Sequence, residues 1–345
     1  MYHPRLKGSP YEMGQKMGSI FKKNNASFPI ELDPFQIRHG KESGKLLKQF
    51  FPEAVEEITG ITDVIGIDIE LFISWMMCMG CCLDIQDVNF VETRGCTAFV
   101  FIKDAQVYYG RNNDLPLFLK DVSKSIYYKP ENKISFIMNT SSFVNGEEGI
   151  NQFGLIAAMT FVVPKLDEIK PGINSVFLVR YLLENCKTVE ESLDLLRKLP
   201  IASSCNIIVA DKNGKMAVAE CNPQKIYIRQ PDINKNGNYF IITVNHFSSK
   251  EMLEHDASNQ NVYLSSLRYQ TAYNALKNED CLYGIEHARY ILSGKFGFMC
   301  QYDKKLSFDT IWSSMFDNSN NKIYTAEGNP GKVKYKEDNR LDWIL

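Results

Sequence analysis

The chain changes texture at Thr97, and that break constrains its fold more than any other feature. Upstream, helix starts and helical periodicity dominate; downstream, to about Lys334, short β-rich runs alternate with turn signals. The runs are Thr97 to Lys103, Gln106 to Gly110, Lys133 to Met138, Leu155 to Val163, Cys205 to Ala210, Lys215 to Cys221, Lys225 to Gln230 and Tyr239 to Val244. Thr310 to Phe316 and Lys322 to Ala326 follow late in the chain. Ala98 to Ile102 and Ile207 to Ala210 are apolar at successive positions, hence on both faces. Strands of that kind need a layer on each side. The expected fold class is therefore α+β, two stacked, largely antiparallel sheets with helices outside.

The helices are marked by their caps. Ser9-Pro10-Tyr11-Glu12 is a capping box with proline at the first helical position, predicting a helix to Lys23. Two more helices are expected from Pro52 to Ile65 and from Ile69 to Leu83. Further ones are expected at Asn174 to Cys186, Val189 to Leu199, Tyr263 to Lys277 and Tyr283 to Leu292. Gly14-x-x-x-Gly18 suits close packing between helices. Asp211-Lys212-Asn213-Gly214 and Gly328-Asn329-Pro330-Gly331 are turns. This divides the chain into a helical leader, 1–95, packed on one catalytic domain, 96–345.

Charge narrows the functional classes. With 39 basic against 41 acidic side chains and a net charge of -2, nothing favours nucleic acid as a partner. The most apolar stretch, Leu71 to Leu83, falls short of the roughly 20 residues a bilayer requires, so no membrane association is expected. Nine irregularly spaced cysteines, and an N-terminus without a secretory apolar region, point to a reducing, cytoplasmic setting.

The chemistry gathers at Cys96. If Asp104-Ala105 is a two-residue hairpin turn, Lys103 pairs with Gln106 and the register brings Cys96 opposite Asn113. Arg111-Asn112-Asn113-Asp114 then lies beside the thiol. A neighbouring guanidinium favours a thiolate, and a carboxylate can hold a cationic partner in place. No histidine is near in sequence. An ordinary cysteine protease using His246 would be active at full length, whereas a cysteine at a new N-terminus carries its own base, an α-amine titrating near pH 8. Gly95 suits such a cut: it leaves the preceding carbonyl open to attack and tolerates a strained backbone.

Arg94-Gly95-Cys96-Thr97 and Gly110-Arg111-Asn112-Asn113-Asp114 resemble the acyl-coenzyme A:6-aminopenicillanic acid acyltransferase family, similar in its catalytic domain to choloylglycine hydrolases. Leu6-Lys7-Gly8-Ser9-Pro10-Tyr11-Glu12-Met13-Gly14 and Thr243-Val244-Asn245-His246-Phe247 extend the resemblance along nearly the whole chain. It implies an αββα N-terminal-nucleophile hydrolase sandwich, autocatalytic cleavage between Gly95 and Cys96, and attack on a non-peptide amide or thioester. It makes Cys96 the nucleophile and its amine the base, with Asp114 and Arg111 orienting them. Asn245 would give its side-chain amide to the oxyanion, a backbone N–H near Thr160 would be a second donor, and Arg268 would stand near the thiol. In choloylglycine hydrolases an asparagine holds the place of Thr160.

No cofactor and no metal are expected. The partner is a small-molecule N-acyl amide, and leader and catalytic segments stay associated after cleavage, with homo-oligomerisation left open. Hydrolysis of a Cys96 thioester is favoured over acyl transfer to an amine, because transfer needs a second binding site. An uncleaved, non-catalytic small-molecule binder is the alternative of another class. Cys78, Cys81 and Cys82 form a C-x-x-C-C run with no second Cys or His pair at zinc spacing, and are assigned to an apolar helix. None of the five histidines shows metal-ligand spacing, and His246 is assigned a structural role.

Overall fold

The computed structural model describes residues 1–83, 95–257, 264–278, 284–303, 305 and 307–343. Arg94, and the first residues expected of two helices, Tyr263 and Tyr283, lie outside them.

Two sheets form the centre. The first contains β1 (Arg5–Gly8), β4 (Lys124–Pro130), β5 (Phe136–Thr140), β6 (Glu148–Asn151), β7 (Ile156–Phe161), β8 (Cys205–Ala210), β9 (Met216–Asn222) and β10 (Lys225–Arg229), neighbours in that order. The second runs β11 (Asp232–Ile233), β12 (Tyr239–Thr243), β2 (Gly95–Lys103), β3 (Gln106–Pro116), β13 (Phe308–Asp317), β14 (Lys322–Ala326) and β15 (Lys336–Asp338). Every strand pair is antiparallel except β1 with β4.

The doubly apolar strands do lie between layers. Ala98 and Val100 of β2 face Ile208 and Ala210 of β8 in the inter-sheet core, while Phe99 and Phe101 turn outward onto helices. Those helices are α7 (Ser265–Asn278) and α8 (Ile285–Leu292), which bury Ala272, Leu276, Ile291 and Leu292 there. On the far side, Ile207 and Val209 meet a core shared with α1 (Pro10–Lys23), α2 (Pro34–Phe50), α3 (Pro52–Ile65), α4 (Ile69–Cys78), α5 (Ser175–Asn185) and α6 (Val189–Leu196). The order of layers is thus helix, sheet, sheet, helix. Each large side chain buried in these interfaces contributes about 1.5–3 kcal/mol.

A buried carboxylate ties the two sheets. Glu148 of β6 accepts from Tyr109 (2.8 Å) on β3, from Trp312 (3.0 Å) and Ser314 (2.7 Å) on β13, and from Asn139 (2.8 Å) on β5. Four kinds of donor on one carboxylate compensate its removal from water.

The leader differs from its expected form. Arg5–Gly8 is a parallel edge strand on β4, so the segment is not purely helical. Asp33-Pro34-Phe35-Gln36 is a complete capping box that opens α2, a helix outside those expected. The third expected helix stops at Cys78, leaving Cys81 and Cys82 in the following turn rather than in a helix. The glycine pair behaves as expected: a Cβ on Gly14 would collide with the Glu57 carbonyl, and one on Gly18 would lie 2.9 Å from that of Ile61, so α1 and α3 touch backbone to backbone. Below that contact Glu57 pairs with Arg180 of α5 at 2.5 Å, both side chains fully buried, with Tyr128 donating to the same carboxylate.

Candidate active site

The hairpin that carries the site has the expected register. Asp104 and Ala105 both take positive φ, 51° and 60°, which matches a two-residue turn to the twist of the strands. Lys103 pairs with Gln106, Cys96 with Asn113, and Gly95 with Asp114. Alternation along β3 then splits the polar run. Arg111 and Asn113 point toward the other sheet, where an Arg111 Nη donates to the Met159 carbonyl of β7 at 2.5 Å. Asn112 points toward α8 and donates to Leu292 O at 2.9 Å. A bulge in β13 between Thr310 and Trp312, opposite Asp114 and Asn113, sets Thr310 against Asp114.

Cys96 is 6% exposed. Its Sγ lies 3.2 Å from the Arg111 guanidinium and donates to Asn113 Oδ1 at 3.2 Å; Arg111 also donates to that oxygen, at 2.8 Å. Burial pushes the thiol up, Arg111 pulls it back, and Asp114 pushes it up again. The thiol is accordingly the donor in its bond to Asn113. The Asn113 Nδ2 and Arg111 Nε groups, both buried, have no partner among the described residues.

The backbone N–H of Cys96 donates to Asn245 Oδ1 at 2.7 Å, and Arg268 Nη2 donates to the same oxygen at 2.8 Å. Two donors fix the carboxamide orientation, and its Nδ2 donates to Phe161 O at 2.9 Å. Arg268 reaches in from α7 and also holds the Cys96 carbonyl (2.5 Å) and the Thr97 hydroxyl (2.7 Å). Asp114 accepts from Thr310 (2.6 Å) and Tyr302 (2.7 Å); burial pushes its carboxyl up to about 6 against the pull of Arg268.

Thr160 and His246 sit behind these groups. The Thr160 hydroxyl bonds the Val244 carbonyl (2.5 Å) and Thr243 (3.0 Å), tying β7 to the end of β12, and its backbone pairs with Asn206 of β8. The strand faces that turn toward Arg111 and Asn245 are the peptide groups of Met159 and Phe161. His246 Nδ1 contacts Ser265 Oγ at 2.8 Å, and burial pushes its imidazole down to about 4, leaving it neutral. Ser265 also accepts the Asn245 N–H at 2.9 Å. Gly95 is extended rather than left-handed; its lack of a side chain matters for space, since a Cβ would lie 3.2 Å from that of Asp114 and 3.4 Å from Arg268 Nη2.

The fold thus gathers Cys96, Arg111, Asp114, Asn245 and Arg268 at one point. Asn113, Tyr302, Thr310 and Ser265 were assigned no role from the sequence. Only Asn113 had a signal there, its expected place opposite Cys96; Tyr302 lies 188 residues from the carboxylate it serves.

Residues 101–332 match the model of the acyl-coenzyme A:6-aminopenicillanic acid acyl-transferase family. The chain belongs to that family. The match begins just after Cys96 and spans well over half of the 345 residues. No curated protein sequence matches the chain. Among solved structures it is similar to a variant of conjugated bile acid hydrolase from Clostridium perfringens, at 16% identity and a TM-score of 0.51, over 72% of this chain and 94% of that one. It is also similar to penicillin V acylase from Agrobacterium tumefaciens, at 17% identity and a TM-score of 0.44, over 70% and 84%. The fold of this family member is that of an N-terminal-nucleophile hydrolase. Among its described residues no helix is long and apolar enough to cross a membrane.

Proposed function

We propose that the chain is a self-processing cysteine amidase that hydrolyses a non-peptide N-acyl amide through a thioester on Cys96. The observation that carries this reading is the convergence on Cys96 of Arg111 and Asn113, which bond its thiol, and of Asn245 and Arg268, which bond its backbone N–H and carbonyl, with the Gly95 backbone opposite Asp114.

In the first reaction Sγ attacks the Gly95 carbonyl, the peptide C–N bond breaks as the Cys96 nitrogen takes a proton, and water hydrolyses the thioester. Asp114, poised at about 6, is the adjacent group able to exchange a proton near neutrality. The nitrogen now held by Asn245 Oδ1 becomes a free amine in the same place, and it takes the thiol proton when Sγ attacks a substrate amide. The remaining Nδ2 hydrogen of Asn245 and a backbone N–H beside Thr160 stabilise the oxyanion, and loss of one such donor costs roughly 3–4 kcal/mol. The amine product departs with the proton, and water releases the acyl group. Acyl transfer to an amine is the second reading, favoured by the family's description.

The test is the intact mass and N-terminal sequence of freshly purified protein beside Cys96→Ala. Fragments of about 11 and 29 kDa from the 39.5 kDa chain, the larger starting at Cys96 and absent from the variant, support self-processing. A wild type that stays whole under reducing conditions across pH and time overturns it. Adding amine acceptors to an amide turnover assay then separates N-acyl products from free acid.

A further inference from the structure

We propose that the turn after α4 and the first half of α2 form a structural site for a thiophilic divalent cation of the Zn²⁺ type, ligated by His39, Cys81 and Cys82 with Cys78 as the fourth ligand. This inference does not depend on the catalytic reading.

The sequence offers a C-x-x-C-C run without a second ligand pair at zinc spacing. The fold supplies what spacing lacks. His39 comes from α2, 42 residues before Cys81, and places Nε2 at 3.5 Å from the Cys81 Sγ. The ligand atoms of His39, Cys81 and Cys82 all lie within 4.8 Å of one another. The thiols of Cys78 and Cys81 both hydrogen-bond that of Cys82. Tetrahedral zinc with thiolate and imidazole ligands holds its donor atoms roughly 3.5–3.8 Å apart. His39, Cys81 and Cys82 therefore need only a small contraction to take the ion, while Cys78, which lies outside that close group and donates to the Gln36 carbonyl at 3.4 Å, must turn its thiol inward to complete the tetrahedron.

The surroundings suit a closed structural centre rather than a reactive one. His39 and all three cysteines are buried, and the cysteines pack with Ile169 and Ala202. The turn is pinned to α2 independently, because Gln36 Nε2 donates to the carbonyls of Cys82 (3.1 Å) and Leu83 (3.0 Å). The His39 ring is stacked on Phe35, with centroids 6.0 Å apart. Three sulfurs and one imidazole nitrogen form a soft donor set that selects Zn²⁺ over Mg²⁺ or Ca²⁺. Bound there, the ion would staple α2 to the end of α4 in the last described stretch before the nucleophile strand.

The experiment uses full-length protein purified without chelator. Metal content by mass spectrometry should be about one equivalent of zinc per chain. Replacement with Co²⁺ should give the thiolate-to-cobalt charge-transfer band and the intense visible bands of a tetrahedral site. Cys82→Ser and His39→Ala should each lower occupancy at least tenfold. Because those variants risk misfolding, alkylation of the wild type is read in parallel: Cys78, Cys81 and Cys82 should be protected with metal and labelled after chelation. Less than a tenth of an equivalent of metal with no cobalt–thiolate band, a Cys81–Cys82 or Cys78–Cys82 disulfide under reducing purification, or labelling indifferent to chelator would each overturn the proposal.

Discussion

The backbone nitrogen of Cys96 and Oδ1 of Asn245 are 2.7 Å apart, with the nitrogen donating, so the carboxamide turns its oxygen toward the residue it serves. Asn245→Ala removes the acceptor of this N–H and one acceptor of Arg268, leaving the buried Cys96 N–H without its side-chain partner. The variant should lose about 1–3 kcal/mol of stability and process itself far more slowly. Denaturant titration and a gel time course of the large fragment measure the two effects. Processing at the wild-type rate would take Asn245 out of the machinery.

The Arg111 guanidinium donates to the Cys96 thiol from 3.2 Å, and it opposes the upward push of burial on Cys96. Arg111→Gln should move the pH profile of Cys96 alkylation to higher pH. At neutral pH, thiolate reactivity falls about tenfold for each unit of that shift. Rates of iodoacetamide labelling between pH 6 and 10 test this; an unmoved profile would show that the guanidinium only packs.

Asp114 gives a pH dependence of stability with a definite sign. Its folded value of about 6 lies above the ordinary 3.8, so the group favours folding while protonated in both states and progressively less as pH rises from about 4 through 6. The loss, at 1.36 kcal/mol per unit, is about 3 kcal/mol. Asp114→Asn should flatten that part of the profile while impairing processing. Unfolding free energies of both proteins at pH 4, 5, 6 and 7 check it, and parallel curves would reject the assignment.

The Glu57–Arg180 pair joins leader to body in a site without water access. Glu57→Ala leaves the guanidinium buried with Glu184 as its remaining carboxylate, at 3.3 Å, and should cost about 3–5 kcal/mol. After cleavage the two pieces should co-elute on size exclusion from wild type and separate at lower denaturant in the variant.

What the sequence discloses depends on how far apart the interacting residues lie. The register of Cys96 against Asn113 follows from one two-residue turn, and strands such as Cys205–Ala210 and Lys322–Ala326 end where their composition ends. β1, β4, β6, β11, β15 and α2 lie outside the elements the sequence predicts. The five strands are short or mixed in polarity, held by neighbours rather than by their own pattern, while α2 has its capping box in plain view. Family resemblance pointed to Arg268, but its grip on the Cys96 carbonyl bridges 172 residues. His39 beside Cys81 is of the same kind: two unremarkable stretches acquire a shared chemistry only once α2 and α4 are packed.

The pairing of Arg5–Gly8 with Tyr127–Pro130 has a practical meaning for anyone preparing this enzyme. Those four residues are the outer rail of an eight-stranded sheet, and a gene fragment beginning at Cys96 would leave the main chain of β4 open to any other extended peptide. A shortened gene and a self-cut protein would therefore have the same large fragment but not the same history. The second keeps the strand it folded on, and the first would have to find a substitute in its neighbours.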